Sequence, residues 1–377
     1  MTIPLFRPTS HGSEEKEAVN RVLDSGWWAI GPETELFEDE FAQYVGTRYA
    51  IAVNSGTMAL KLAAAATGLR DGLVVCPALT FISTALAMHQ LGNRVVFADI
   101  NDTTLTLNWY DVEQKFNAYQ HVDGPRGVVP VWFGGQVNDP MVATNFPACT
   151  RLIEDCAHAA GSRKAGHIGR AAAWSFHAVK NLATGDGGMV TTDDEYVARE
   201  VRRMRWVGID KSTWDRDKDS KVGYGWDYDI QALDGEKAHM NDISAAIGRV
   251  QLRHLDTDNA KRRWTAQQYY AGFRDLNWLS APLISADSSA HLYIVRVDLA
   301  LRERFIAHMI NQGVSAGVHY KPLTHYTGKD HRPLFGDQAR LTVTEKTWPT
   351  LVTLPMYPSM TSADIESVIK AVRSFPV

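Results

Sequence analysis

A single lysine, Lys180, sits between an apolar run, Ala171–Phe176, and a glycine cluster, Gly185, Gly187 and Gly188. After the glycines the chain turns apolar again at Met189 and Val190, with Thr191 and Thr192 suited to a strand. This order predicts strand, tight turn, strand, with the lysine held at the turn. A lysine in a dry, rigid place can have its pKa lowered enough to act as an amine nucleophile and form a Schiff base. The same stretch also suits a loop lysine in solvent, the usual fate of this residue type.

Two other stretches could complete a site. Asn54-Ser55-Gly56-Thr57 follows the short apolar run Tyr49–Val53 and precedes the Ala-rich segment Met58–Thr67. A strand, a small-residue turn and a helix start leave free N–H groups and a helix dipole pointing at one place, an anion site. A plain helix cap by Ser55 or Thr57 fits the same residues. Asp155 ends the run Leu152-Ile153-Glu154-Asp155. A carboxylate at a strand end can pair with a protonated ring nitrogen, which in pyridoxal phosphate enzymes maintains the electron sink. A phosphate at Gly56–Met58, an aspartate under the ring nitrogen and a lysine at the aldehyde are the three anchors that cofactor requires. Phe81 could stack on the ring face. A capping role for Asp155 and a core role for Phe81 remain open on these residues alone.

The elements that must position these groups alternate. Strands are expected at Tyr49–Val53, Leu73–Pro77, Arg94–Ile100, Gly127–Phe133, Arg151–Asp155 and Ala171–Phe176, with helices at Met58–Thr67, Phe81–Leu91 and Asp194–Trp206. Apolar strands separated by helical segments predict a mainly parallel sheet covered on both faces, an α/β fold. Ligands of such sheets bind outside the carboxyl ends of the strands. Asn54–Thr57, Pro77–Phe81, Asp155–His158 and Lys180 all follow expected strand ends. A long helix is expected from Asn241 to about Phe273, with a domain boundary near residue 255. This divides the chain into an N-terminal segment with a large domain, 1–255, and a small C-terminal α/β domain, 256–377. The small domain carries expected strands at His291–Val297, Gly313–His319 and Leu351–Leu354, and helices at Leu299–Ile310 and Ser362–Phe375. Within the large domain, Lys211–Asp229 is charged and aromatic (Trp214, Trp226, Tyr228) and reads as a mobile or interface loop rather than a linker.

Composition bounds the rest. With 377 residues, 45% hydrophobic and 22% charged, the chain has the make-up of a soluble globular protein of two domains. A formal net charge of −4 supplies no basic footprint, so nucleic acid is not an expected partner. No apolar run approaches the roughly 18 residues that span a bilayer. Three cysteines, Cys76, Cys149 and Cys156, lack metal-binding spacing and suit a reducing compartment, so no metal and a cytoplasmic location are expected.

Taken in order, the motifs resemble those of the DegT/StrS-type sugar aminotransferases, fold-type-I pyridoxal phosphate enzymes, over nearly the full length. The residues that carry the resemblance are Gly31-Pro32 with Phe37-Glu38, Asn54-Ser55-Gly56-Thr57, Pro77 with Thr80-Phe81, and Glu154-Asp155. Ser175-Phe176, Lys180-Asn181, Gly185-Asp186-Gly187-Gly188, Met240-Asn241-Asp242-Ile243, Gln251-Leu252 and His319-Tyr320 follow. The resemblance implies that Lys180 binds pyridoxal 5'-phosphate covalently and shuttles protons. It implies Asp155 at the ring nitrogen, Phe81 on the ring, and Gly56, Thr57, the Met58 amide and Ser175 at the phosphate. His158 stands where the family often has a glutamine reaching the ring hydroxyl, and Lys237 where it often has an asparagine serving the neighbouring subunit. Trp28, Lys237, His319, Tyr320 and His325 are the expected acceptor contacts. The implied reaction moves an amino group from an amino acid, L-glutamate, to a keto-sugar, most often nucleotide-linked, in a homodimer with its site at the subunit interface. A keto-cyclitol or other non-nucleotide carbonyl acceptor is an alternative, as is a non-catalytic cofactor-binding regulator. A dinucleotide-dependent dehydrogenase would need Gly-x-Gly-x-x-Gly after the first strand, which Asn54–Ala59 does not supply.

Overall fold

The computed structural model describes residues 2–136, 146–147, 149–209, 211, 214, 216, 228–336 and 338–377. Trp226 and most of the expected 211–229 loop lie outside the described residues.

Two N-terminal helices, α1 (Ser13–Ser25) and α2 (Pro32–Val45), lead into β1 (Tyr49–Val53) and α3 (Gly56–Ala66). The chain then runs β2 (Leu73–Pro77), α4 (Ile82–His89), β3 (Arg94–Ala98), α5 (Trp109–Ala118), β4 (Arg126–Val128), β5 (Arg151–Asp155), β6 (Ala171–Ser175), β7 (Gly188–Thr192) and α6 (Glu195–Met204). The seven strands form one sheet in the order β1-β7-β6-β5-β4-β2-β3. β3, β2, β4, β5 and β6 pair in parallel, and β7 pairs antiparallel with both β6 and β1. The expected α/β class with a mainly parallel sheet therefore holds.

Strand periodicity explains the two covered faces. Ile51 and Val53 of β1, with Ala171 and Ala173 of β6, pack against apolar residues of α3, α4 and α6. Their neighbours Ala50, Ala52, Ala172 and Trp174 face the other way, onto Phe37 and Phe41 of α2. Each large apolar side chain so buried contributes about 1.5–3 kcal/mol. The expected strand Gly127–Phe133 is shorter than predicted. Pro130 has no N–H to give the ladder, and Phe133–Gly135 closes as a single 3-10 turn.

After α6 comes α7 (Asp242–Phe273), a helix of 32 residues capped by Asn241, whose side chain accepts from the Ser244 amide at 2.9 Å. Position 255 falls inside it. Leu252 and Leu255 belong to the core beneath the large sheet, whereas Ala266, Tyr269 and Phe273 belong to a second core. That second core forms around a three-stranded antiparallel sheet, β8 (Leu279–Ser280), β9 (Tyr293–Val297) and β10 (Leu351–Leu354) in the order β10-β9-β8. The helices α8 (Arg302–Asn311), α9 (Thr342–Thr347) and α10 (Ser362–Arg373) complete the α-helices among the described residues. Ile3 also belongs to the second core. The expected strand Gly313–His319 does not form. Its segment pairs at single bridges only, Val314 with Ile3 and Gly317 with Thr353.

Candidate active site

The carboxyl ends of β1, β2, β5 and β6 converge on a cavity of about 310 Å³. Eight of the expected site residues line it: Gly56, Thr57, Phe81, Asp155, His158, Ser175, Lys180 and Tyr320.

Lys180 lies in the twelve-residue connection, 176–187, between β6 and β7. This loop is closed on itself by hydrogen bonds from Lys180 N to His177 O (2.8 Å), Ala178 N to Gly185 O (2.8 Å) and Thr184 N to Phe176 O (2.8 Å). The lysine keeps an open surface toward the cavity but is otherwise ringed by protein. That loss of solvent lowers its amine from 10.5 to about 8, with Asp155 pulling the other way.

Asp155 is buried at the end of β5. Its Oδ1 accepts from the Ala157 amide (3.1 Å) and its Oδ2 from the Thr84 hydroxyl (2.7 Å). Burial raises its pKa, opposed by Thr84, the Ala157 amide and Lys180. Thr84 is itself fully buried and shares a 2.8 Å hydrogen bond with Thr80, four residues back and just before the start of α4. The adjacent Glu154 points to the opposite face, where it is purely structural. It accepts from Trp132 Nε1 and from the amides of Gly166, Ile168 and Gly169 at 2.7–3.0 Å, which pins the loop after Asp155.

The N-terminus of α3 forms the far wall. Ser55 caps it, its Oγ accepting from the Met58 amide at 3.2 Å. The Met58 amide expected at a phosphate is thus engaged within the cap, and Met58 does not line the cavity. Helix geometry leaves the amides of Gly56 and Thr57 at the open end of the dipole. The Thr57 hydroxyl is 2.7 Å from Ser83 Oγ. Close approach demands the glycines here: a Cβ on Gly56 would sit 2.7 Å from Ser175 Cβ, and one on Gly188 only 2.5 Å from the Ser55 carbonyl. Two motifs far apart in sequence are thereby one surface.

His158 is buried, and the Gly134 amide donates to its Nδ1 at 3.2 Å. The neutral ring therefore carries its proton on Nε2, which faces the Tyr320 hydroxyl at 3.3 Å. Burial, then the nearby Lys180 and His319, push the His158 pKa well down. Tyr320 reaches the cavity from the segment between α8 and α9, its ring 6.1 Å from Phe81. Phe81, 57% exposed at the start of α4, presents a bare aromatic face to the cavity.

The other expected contacts lie outside the cavity lining. Trp28 is exposed, with its indole directed at Leu23 O (3.4 Å). His319 shares a hydrogen bond with Thr353 Oγ1 (2.9 Å) and meets Tyr320 edge-on. His325 is paired with Glu345 at 2.7 Å. Lys237 is exposed, its Nζ 3.3 Å from the Trp206 ring centroid, although its carbonyl accepts from Asn54 beside the α3 cap. Sequence reasoning missed Ser83, Thr84, His177 and Val179 as lining residues. The pair Thr80 and Thr84, one helical turn apart, was the one signal available for Thr84. The motif pieces Gly31-Pro32 and Asn241-Asp242 also meet. Asp242 accepts from the amides of Gly31, Glu33 and Thr34 and from the Thr34 hydroxyl at 2.6–3.1 Å, capping α2.

Comparison with known proteins places this geometry. The spore coat polysaccharide biosynthesis protein SpsC of Bacillus subtilis is 36% identical over 96% of this chain and 94% of its own length. The aminotransferase TlmJ of Streptoalloteichus hindustanus superposes with a TM-score of 0.87 at 30% identity, covering 99% of this chain and 98% of that one. Spr1654 of Streptococcus pneumoniae, named as a sugar aminotransferase and solved in its pyridoxal phosphate form, superposes with a TM-score of 0.85 at 25% identity, covering 100% of both chains. The profile of the DegT/DnrJ/EryC1/StrS aminotransferases matches residues 9–373, and the chain belongs to that family.

Proposed function

We propose that this sugar aminotransferase moves an amino group from L-glutamate to a nucleotide-linked keto-deoxysugar. The observation that carries the reading is a buried amine, Lys180, sharing one cavity with a buried carboxylate, Asp155, beneath an open helix N-terminus. Pyridoxal 5'-phosphate is the cofactor, and the donor set fits it at each end. The Gly56 and Thr57 amides, with the Thr57 and Ser175 hydroxyls, offer donors to a phosphate. Asp155 offers an anion to a protonated ring nitrogen, and Phe81 offers an apolar face. His158 offers its Nε2–H to the ring hydroxyl oxygen. When bound, the cofactor supplies an electron sink for the carbon that loses its proton.

The chain's own residues do the rest. Thr84 and Ala157 hold the carboxylate of Asp155 in one orientation. Lys180, with a pKa of about 8, supplies enough neutral amine near pH 7 to attack a carbonyl. Freed by the incoming amino group, Lys180 then takes a proton from one carbon and returns it to the next, as general base and then general acid. Tyr320 and His158 lie 6.2 Å apart, ring to ring, and form one wall of the cavity. The role in polysaccharide biosynthesis of the relative SpsC supports a sugar acceptor. We further propose a homodimer whose subunits share the site, with Trp28, Lys237, His319 and His325 on the acceptor side. The reducing cytoplasm suits three unpaired cysteines.

The test is a panel of keto-sugar nucleotides, free keto-sugars and keto-cyclitols, each assayed with L-glutamate for amine formation. Turnover is expected on nucleotide-linked keto-deoxysugars. Turnover confined to free sugars or cyclitols would overturn the assigned acceptor. Borohydride reduction of the loaded enzyme should fix the cofactor on Lys180, and a label on another lysine would overturn the site.

A further inference from the structure

Behind the cavity, a five-residue strap, Ser288–Leu292, runs fully buried from the second domain across three loops of the first. Ser289 Oγ donates to His158 O (2.7 Å), Ser288 Oγ to Gly135 O (2.8 Å), and the His291 amide to Gly134 O (3.1 Å). In the third loop the contact is to the residue that follows the lysine. Asn181 is buried, and its Nδ2 donates to Ser289 O (2.8 Å) and to Asn259 Oδ1 on α7 (2.7 Å). The Ser289 carbonyl only accepts, so Nδ2 must face it and Oδ1 must face His291 Nδ1, 2.7 Å away. His291 is therefore a donor at Nδ1.

The same ring lies against His158, with centroids 4.4 Å apart and planes at 35°. Gly134 is the hinge of the pair: its amide holds His158 Nδ1 and its carbonyl accepts from the His291 amide. The two imidazoles thus carry their protons on opposite nitrogens, Nε2 in His158 and Nδ1 in His291. Burial, then the neighbouring His158 and Lys180, keeps His291 neutral.

We propose that His291 is a positioning residue: its Nδ1–H bond to Asn181 sets the aim of Lys180. Nothing in this bond touches a reacting atom, so its effect runs through the geometry of Lys180, which does. The proposal rests on Lys180 carrying the cofactor, and the tests separate the two ideas.

His291→Phe keeps a ring against His158 and removes the donor. His291→Asn removes the ring and keeps a donor on the same branch of the side chain. Misaiming a reacting group by about 1 Å can cost a hundredfold, so kcat of His291→Phe should fall about tenfold or more in both half-reactions, with KM for donor and acceptor unchanged. His291→Asn should recover most of that loss. In the unmodified holoenzyme, nitrogen-15 NMR should find the His291 proton on Nδ1, a readout independent of turnover and of any variant's folding. Three results would overturn the role: wild-type kcat in folded His291→Phe, no recovery in His291→Asn, or a proton on His291 Nε2. If borohydride labels another lysine, the assigned site fails. If it labels Lys180 while the kinetics stay unchanged, only the positioning role fails.

Discussion

Asp155→Asn separates the charge of this residue from its place in the fold. Both oxygens accept in the structure, Oδ1 from the Ala157 amide and Oδ2 from Thr84. An asparagine can keep Oδ1 on the amide and turn Nδ2 toward Thr84. The Thr84 hydroxyl can then reverse, accept that bond and donate to Thr80, 2.8 Å away. Folding should lose only about 1 kcal/mol, the difference between a charge-assisted bond and a neutral one. The chemistry loses more, because a neutral amide cannot hold a ring nitrogen protonated. A fall in kcat of about a thousandfold, or about 4 kcal/mol at 1.36 kcal/mol per decade, is expected. Lys180 supplies an internal control. Asp155 raises the lysine pKa against burial, so without it the amine should titrate below about 8. The amine reacts when neutral, so capture of the cofactor near pH 7 should hold or quicken while transamination collapses. Stopped-flow absorbance of the glutamate half-reaction, cofactor capture and a thermal melt measure the three effects. Turnover within tenfold of the parent, with cofactor bound, would refute the argument. So would slower capture of the cofactor in a folded variant.

Three other outcomes follow from the same contacts. Cofactor capture by the unloaded chain should rise with pH and level off above about 8, since lowering the amine from 10.5 to about 8 raises its neutral form at pH 7 about 300-fold; a midpoint near 10 in a pH series would show an ordinary lysine. Asp242→Ala strands three buried donors and one half-buried donor at the start of α2 and should cost about 3 kcal/mol in a denaturant melt, with kcat of the folded protein unchanged. Lys237→Ala should raise KM for the acceptor and leave the glutamate half-reaction intact, as expected when uniform binding is removed; unchanged kinetics would leave Lys237 as a cation over Trp206 and no more.

Local pattern made much of this protein legible from its sequence. The apolar runs at Tyr49–Val53, Leu73–Pro77 and Arg151–Asp155 are strands over those same residues, and the chemistry-bearing residues follow their ends. Lys180, Asp155 and Gly56–Thr57 meet in one cavity because parallel strands deliver their carboxyl ends to one edge. Residue type alone does not choose the surface a side chain reaches. Trp28 and His325 have the chemistry of ligand contacts, yet one is exposed outside the cavity and the other is occupied by Glu345. What only the tertiary structure decided is who supports whom. Thr84 serves Asp155 because α4 turns that face toward β5, and Ser83 serves Thr57 because α4 lies beside α3. Tyr320 and His291 join the site only when two separate segments of the chain beyond α7 pack against the loops that follow β4 and β5. Periodicity within ten residues records which face of an element is apolar. The rotation of a helix and the docking of distant segments are set by packing among residues from tens to more than a hundred positions apart, and no local pattern records them.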